Sequence, residues 1–336
     1  MGKLFASLVI FVCSLFASEE NYTLGQGYDI KNTPMKIGGY ISAESYKEKA
    51  SSSYSMEDIA LLVYGDLTPR ISVMLELEAA GFYNRSYGIG NSESFNPDFA
   101  VERGYVDYMV NDSINLRVGK FNTPAGFWNA MPINILRQTT SNPWLAMNIF
   151  PRFTTGTMLN GLIDDDTYEY AVFIQKTPDL DKRYKNIDAS DFVGGELKRS
   201  FSEHLVIGIA GGEFKNAGDS NEICRYFNLS GRYRNGGLEI LSEWAKSFDL
   251  YRDAAFPIGN GHKDASYIQA AYRIVDKNYA IFRNEFYHDS QTKDKGTINT
   301  IGWNYKPRPA ISLKAEYQFN SNTDRNSAIM SLSVLF

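Results

Sequence analysis

The feature that most constrains the fold of this chain is a two-residue alternation of apolar and polar side chains. Between residues 71 and 79, apolar residues at the odd positions alternate with serine, methionine and two glutamates. The same alternation recurs in residues 114–119 and 311–319. Successive side chains of an extended strand point to opposite faces. Each segment therefore predicts a strand with one apolar and one polar face.

The connections between these segments alternate in length. Tight-turn residues occur at 68–69, 111–112 and 235–236, whereas 47–56 and 82–98 are longer polar segments. Bacterial outer-membrane barrels combine an even number of antiparallel strands with short turns at one end and long loops at the other. About sixteen such strands can be counted. The sequence therefore predicts an all-β fold, a transmembrane antiparallel β-barrel located in the bacterial outer membrane.

The N-terminus carries the longest apolar run of the chain. Lys3 precedes an unbroken run of apolar and small residues at 4–16, and small residues follow it. This pattern is typical of a cleaved secretory signal peptide. An uncleaved anchor is the alternative, but the run is shorter than the roughly 20 residues that a spanning helix needs. The predicted organisation is a signal peptide at 1–18, a short N-terminal segment at 19–33 and a barrel domain at 34–336.

The C-terminal segment gives a second indication of export. Apolar residues alternate with smaller or polar ones from 327 onward, and the chain ends on Phe336. A terminal strand of this kind resembles the signal read by the barrel assembly machinery of the outer membrane. We therefore expect that machinery to be a partner, together with outer-membrane lipid and lipopolysaccharide.

The polar faces of the early strands carry charges of both signs. If the apolar residues of each strand face lipid, these charges face the interior of the barrel. A water-filled lumen tolerates such charges, whereas a packed core does not. The candidate pore-lining residues are Glu76, Glu78, Arg103, Tyr105, Asp107 and Arg117.

The longest connection, residues 121–153, is too apolar for an exposed loop. It contains Trp128 and Trp144 among many aliphatic residues, and loops of this length inside a compact fold are usually functional. We expect this third extracellular loop to fold into the barrel and narrow it, with Arg137 and Arg152 near the constriction. Opposed charges there would set ion preference. An extracellular lid or adhesive loop is the rival interpretation.

Two neighbouring segments carry a family resemblance. Residues 102–108 read ERGYVDY, and residues 116–124 read LRVGKFNTP. This pair resembles the phosphate-selective porin O/P family, in which a strand, a short turn and a second strand lead into an inward-folded third loop. The resemblance implies a sixteen-stranded channel that is usually trimeric, so a homotrimer is expected. The lumenal arginine column and lysine cluster of phosphate-selective members are not matched here.

These patterns predict a channel for passive diffusion of small hydrophilic solutes and ions, general or weakly selective. An anion- or phosphate-selective porin is one alternative, although the net charge of −5 does not favour anions. A surface adhesive or structural barrel is another. His204, His262 and His288 lie in no motif with a serine nucleophile, so no enzyme is predicted. The acidic run at 164–166 is interpreted as a solvated turn, and no metal, cofactor or nucleic acid is predicted.

Overall fold

A computed structural model of the chain describes residues 22–88, 90–180, 186–217, 222–251 and 261–336. The predicted signal peptide at 1–18 lies outside these ranges. So do the first three residues of the predicted N-terminal segment.

The described chain is almost entirely strand. The strands are β1 (Tyr22–Thr23), β2 (Gly27–Asp29), β3 (Met35–Lys47), β4 (Ser51–Thr68), β5 (Ile71–Gly88), β6 (Ser92–Ser94), β7 (Asp98–Asn111), β8 (Ile114–Asn122), β9 (Phe153–Ile163), β10 (Tyr168–Gln175), β11 (Ala189–Ser200), β12 (Leu205–Asn216), β13 (Glu222–Asn235), β14 (Leu238–Tyr251), β15 (His262–Val275), β16 (Asn278–Asp289), β17 (Asp294–Arg308), β18 (Ile311–Asn320) and β19 (Ser327–Leu335). Helix α1 spans Trp144–Asn148, and two 3₁₀ turns span Asn134–Leu136 and Thr323–Arg325. Within the described ranges, none of these helices has the length and apolar character needed to cross a membrane.

The sheet closes on itself through its first and last long strands. Each long strand pairs antiparallel with the next, and β19 pairs with β3 in a register that places Leu332 opposite Ala43. Leaving aside the short strands β1, β2 and β6, sixteen strands form the closed barrel. Closure pairs the backbone of every strand on both sides, which a barrel in lipid requires. The predicted sixteen-stranded antiparallel barrel is confirmed.

The N-terminal hairpin sits beside the C-terminal end of the chain. Gly39 and Phe336 exchange two backbone hydrogen bonds of 2.7 Å. Nearer the start of β3, β19 has ended and β2 takes its place as the neighbour of β3, with Tyr28 opposite Ile37. Both ends of the described chain therefore contribute to the seam of the barrel.

Two strands extend beyond the predicted boundaries. Strands β4 and β5 each contain 18 residues, and their pairing continues to Ser51 opposite Gly88. The predicted loop at 47–56 is therefore reduced to residues 48–50, and the predicted loop at 82–98 contains the end of β5 and all of β6. The prediction was wrong there because this projecting ribbon has no buried face, so its side chains do not alternate in polarity.

The two faces of the wall differ as the alternation predicts. On β5 the side chains of Leu75 and Leu77 are 38% and 41% exposed, whereas Glu76 and Glu78 are 0% and 3% exposed. The apolar side chains point outward, and the polar ones point into the lumen. Short turns connect the strands at one end of the barrel, which is called the short-turn end below. Longer connections lie at the opposite end, which is called the long-loop end.

Candidate functional site

The connection between β8 and β9, residues 123–152, folds into the lumen and is called the inner loop below. Its two ends are held together where it leaves the wall. Thr123 donates its backbone N–H to the carbonyl of Arg152 at 2.8 Å, and its hydroxyl lies 2.8 Å from that of Thr154. The Asn129 amide donates to the carbonyls of Thr123 and Arg152 at 2.7 and 2.9 Å. The predicted inward fold of this loop is confirmed.

Carboxylates of the wall accept hydrogen bonds from backbone N–H groups of the inner loop. These bonds run from Gly126 to Glu196 (2.8 Å), from Phe127 and Trp128 to Glu243 (2.9 and 2.8 Å), from Ser141 to Glu316 (2.7 Å) and from Trp144 to Glu285 (2.7 Å). A non-helical loop inside a barrel leaves N–H groups that need buried acceptors. Inward-pointing glutamates on β11, β14, β16 and β18 provide them.

Basic side chains of the wall bind carbonyl and side-chain oxygens of the same loop. Arg283 donates to the Thr139 hydroxyl at 2.7 Å and to the Ser141 carbonyl at 2.9 Å. Lys314 donates to the carbonyl and side-chain oxygens of Asn134, both at 2.5 Å. Polar contacts thus hold the inner loop against the arc of wall from β11 to β18.

The apolar side chains of the inner loop pack on aromatic wall residues. Phe150 lies with its ring centroid 5.2 Å from that of Tyr226, and Trp128 lies edge-on to Tyr267 at 5.9 Å. Leu145 and Ile149 are each 1% exposed in the same cluster as Phe150. This packing buries most of the large apolar side chains of the loop, whereas Leu136 remains 48% exposed.

On the long-loop side of the inner loop lies a cavity of about 420 Å³, here called the outer chamber. Its charged lining consists of six carboxylates and two arginines: Glu44, Glu57, Asp58, Glu78, Asp98, Glu102, Arg137 and Arg152. The Glu78 carboxyl contacts those of Asp58 and Glu102, and the Tyr40 hydroxyl donates to Glu102 at 3.1 Å. Glu57, Asp58 and Glu78 form no ion pair with any described residue.

The two arginines of the outer chamber are held differently. Arg137 is 6% exposed and donates to the Met131 carbonyl and the Asn142 side chain, both at 2.6 Å, and also to the Pro132 carbonyl. Burial, with a smaller effect of the neighbouring Arg152 charge, lowers the pKa of Arg137 to about 10, so it stays charged at neutral pH. Arg152 forms no ion pair within the described ranges, and its guanidinium lies 5.3 Å from the ring centroid of Phe153. Arg137 therefore shapes the loop, while Arg152 presents its charge to the chamber.

On the short-turn side lies a second cavity of about 500 Å³, here called the inner chamber. Arg117 forms a bidentate pair with Asp107, at 2.7 and 2.8 Å, and its guanidinium stacks 3.8 Å from the ring centroid of Tyr105. Arg103 pairs with Glu76 across the neighbouring strand. Charges of both signs are thus paired along this wall, and the basic groups that line the chamber are Arg103, Arg117 and Lys198.

The candidate residues from the sequence all lie on the lumenal face, but not in one place. The structure brings Glu78, Arg137 and Arg152 together in the outer chamber. It places Arg103, Tyr105 and Arg117 in the inner chamber, where Glu76 pairs with Arg103 and Asp107 pairs with Arg117.

Of the six carboxylates of the outer chamber, sequence reasoning named only Glu78. Irregular strand pairing bears on two of the five that it missed, Asp58 and Glu102. The register of β4 shifts between Met56 and Asp58, and the register of β5 with β7 shifts opposite Glu102. The shift in β7 inserts one residue and reverses the alternation, so an uninterrupted strand phase would put Glu102 on the lipid face. A charged residue on that face is costly, and this cost is the signal that could have indicated the bulge.

The acidic run at 164–166 lies in the turn between β9 and β10, where all three aspartates have left-handed backbone angles of 49–64°. Within the described part of the chain, no group of three acidic, histidine or cysteine side chains is arranged to hold a metal ion.

Comparisons with known proteins find likeness in structure. No family model matches the chain, and no curated protein matches it. OmpT, an outer-membrane protein of Vibrio cholerae, has a TM-score of 0.67 at 13% identity, covering 91% of this chain and 99% of that one. An anion-selective porin from Comamonas acidovorans has a TM-score of 0.65 at 11% identity, covering 90% and 99%. The outer-membrane channel DcaP of Acinetobacter baumannii has a TM-score of 0.63 at 10% identity, covering 93% and 100%. The chain therefore has the fold of the outer-membrane porins.

Proposed function

We propose that this protein is a channel of the bacterial outer membrane through which small hydrophilic solutes and ions diffuse passively. The observation that carries the proposal is a charged chamber on each side of an inward-folded loop, inside a closed barrel with an apolar exterior. Part-buried carboxyl groups such as Glu57 and Asp58, which form no ion pair with a described residue, are stable inside a barrel only where water reaches them. The long-loop end would face the cell exterior, as in other outer-membrane barrels.

No enzymatic activity is proposed for this barrel. His262 and His288 lie on the outer surface of β15 and β16, and His204 lies in the short turn before β12. None of the three lines either chamber, so no histidine is placed to activate a nucleophile there.

The outer chamber supports a weak preference for cations. The Glu78 carboxyl contacts those of Asp58 and Glu102, and carboxyl groups in contact share a proton, so fewer than six of these acids are charged. The remaining carboxylates still outnumber the two arginines, so the potential of the chamber is negative and concentrates cations at the entrance. An anion-selective or phosphate-selective channel is the second candidate, favoured by the resemblance of residues 102–108 and 116–124 and by the basic residues of the inner chamber. Those inner bases are largely neutralised: Arg103 and Arg117 pair with wall carboxylates, and Lys198 lies 2.7 Å from Glu196.

The proposal extends to assembly and partners. Export through a cleaved signal peptide at 1–18, insertion through the terminal strand ending at Phe336, and contact with outer-membrane lipid and lipopolysaccharide all follow from an outer-membrane location. A homotrimer is proposed from the family resemblance, and one similar structure is described as a trimer form of OmpT. An adhesive role for the projecting ribbon of β4 and β5 is compatible with a channel.

Single-channel recording in a planar bilayer tests the function. The refolded protein should give discrete open levels, and a salt gradient should give a reversal potential of the sign for cations. Asp58→Asn combined with Glu78→Gln should move that potential toward zero without closing the channel. Glu213→Gln is the matched control, because Glu213 pairs with Arg225 on the outer surface. A folded barrel that passes no current would refute the proposal.

A further inference from the structure

A row of polar side chains crosses four neighbouring strands at the long-loop end. Lys246, Asp264, His288 and Lys295 are successive cross-strand partners on β14, β15, β16 and β17. These four residues and His262, whose ring centroid lies 5.2 Å from that of His288, are called the outer row. Neighbouring strands lie about 4.8 Å apart, so the row spans roughly 14 Å.

The outer row faces away from the lumen. Its chain neighbours Ala245, Ala265 and Tyr287 point inward and are 0–1% exposed. Two residues along the chain, on the same face as the row, Trp244 and Phe286 are 40% and 44% exposed. The row therefore shares its face with the apolar exterior of the barrel.

On β15 the row lies at the long-loop border of that apolar exterior. On β15 the outward residues toward the short turns are Ser266, Ile268, Ala270, Tyr272 and Ile274. Ile274 lies ten residues from Asp264. Ten residues of a tilted strand rise roughly 25 Å along the barrel axis, which is the height of the lipid-facing band of outer-membrane barrels. The outer row thus lies where acyl chains give way to headgroups.

Among the described residues, no carboxylate lies within ion-pair distance of the two lysines of the outer row, although Asp264 is the cross-strand partner of Lys246. Neither Lys246 nor Lys295 forms an ion pair with a described residue, and the Lys246 ammonium lies 5.2 Å from the ring centroid of Phe248. The one acid of the row, Asp264, accepts a hydrogen bond from the Trp244 indole at 3.1 Å. Arg225 is excluded from the group because Glu213 binds it at 2.7 Å.

We propose that the outer row binds the phosphate groups of a glycolipid headgroup in the outer leaflet. This proposal rests on the proposed outer-membrane location but not on channel activity. Two lysines about three strands apart can hold phosphates as point charges, with the His262 and His288 imidazoles between them as further hydrogen-bonding groups. A basic residue close to an anionic membrane surface contributes about 1 kcal/mol, or about fivefold in affinity.

The test uses the full chain, folded in micelles of a neutral detergent. The probe is lipid A with two phosphates, titrated while bound lipid is counted by native mass spectrometry, and the reference is the same lipid after removal of its phosphates. The intact protein should bind the phosphorylated lipid more tightly. Lys246→Gln combined with Lys295→Gln should weaken that binding by about 25-fold. The control, Lys31→Gln with Lys277→Gln, removes two exposed lysines at the short-turn end and should leave binding unchanged.

Three results would overturn the proposal: equal binding of both lipids, wild-type affinity in the Lys246/Lys295 variant, or competition by inorganic phosphate at concentrations equal to those of the lipid. Circular dichroism and gel mobility verify that each variant remains a folded barrel. Conductance separates this proposal from the proposed function, because loss of the outer row should leave the open level unchanged. A silent barrel that still binds the lipid through these lysines would refute only the channel.

Discussion

Replacing Glu243 with alanine is expected to release the inner loop from the wall while the barrel stays folded. The Glu243 carboxylate accepts hydrogen bonds from the backbone N–H groups of Phe127 and Trp128 at 2.9 and 2.8 Å, and from the Tyr267 hydroxyl at 2.8 Å. It is 2% exposed, so water does not replace it readily.

The size of the effect follows from the groups left without an acceptor. A buried donor without a partner costs about 1–3 kcal/mol, so the two loop N–H groups together cost roughly 2–6 kcal/mol. That cost is relieved when residues 126–128 leave the wall, whereas the cross-strand bonds of the barrel are untouched. A penalty of this size shifts the docking equilibrium of the loop by at least a factor of about 30.

The assay is single-channel conductance. Glu243→Ala should give a larger or strongly fluctuating open level, because the loop that divides the lumen is no longer fixed. Glu243→Gln retains one acceptor oxygen and should behave closer to the wild type. Glu213→Ala on the outer surface is the control. A quiet, wild-type open level in Glu243→Ala would show that the carboxylate does not hold the loop.

Three further expectations concern charge and loop anchoring. Arg152→Gln should increase the preference for cations, because Arg152 presents its positive charge to the outer chamber. The reversal potential in a salt gradient measures this preference. Raising the salt from 0.1 to 1 M shortens the Debye length from about 10 to 3 Å, so the preference should fade, and a constant selectivity would contradict an electrostatic origin. Asp179→Ala should loosen the connection between β10 and β11, because Asp179 lies 3.3 Å from the buried Lys120 ammonium and accepts from the Thr155 hydroxyl at 2.7 Å. Losing one partner of a buried pair costs about 3–5 kcal/mol, and faster proteolysis of that connection is the readout.

The barrel and the inward loop were predictable because each follows from the distribution of apolar residues along the sequence. Alternation on β5 separates a lipid face from a water face, and one connection carries more apolar surface than solvent allows. The phase of β5 also placed Glu76 and Glu78 in the lumen, where the structure finds them.

The details of the candidate site were not predictable in the same way. Glu102 reaches the outer chamber only because a bulge reverses the strand phase, and the alternation alone does not mark the inserted residue; the charge of Glu102 is its single local signal. The wall carboxylates that hold the inner loop, such as Glu196 and Glu243, are ordinary polar positions in the sequence. Their role depends on which stretch of loop passes over them, which is a property of the folded lumen alone.

The seam between β3 and β19 has a consequence for the order of folding. The hydroxyls of Ser42 and Ser333, 2.9 Å apart, join positions separated by 291 residues. Hairpins between neighbouring strands can form before the whole chain is present, whereas this contact requires the final segment. The conformational entropy lost in closing so long a loop makes the contact form late. Until then β3 presents an open edge on which another chain could add a strand. Loss of the last ten residues would therefore leave a nearly complete sheet that can never close.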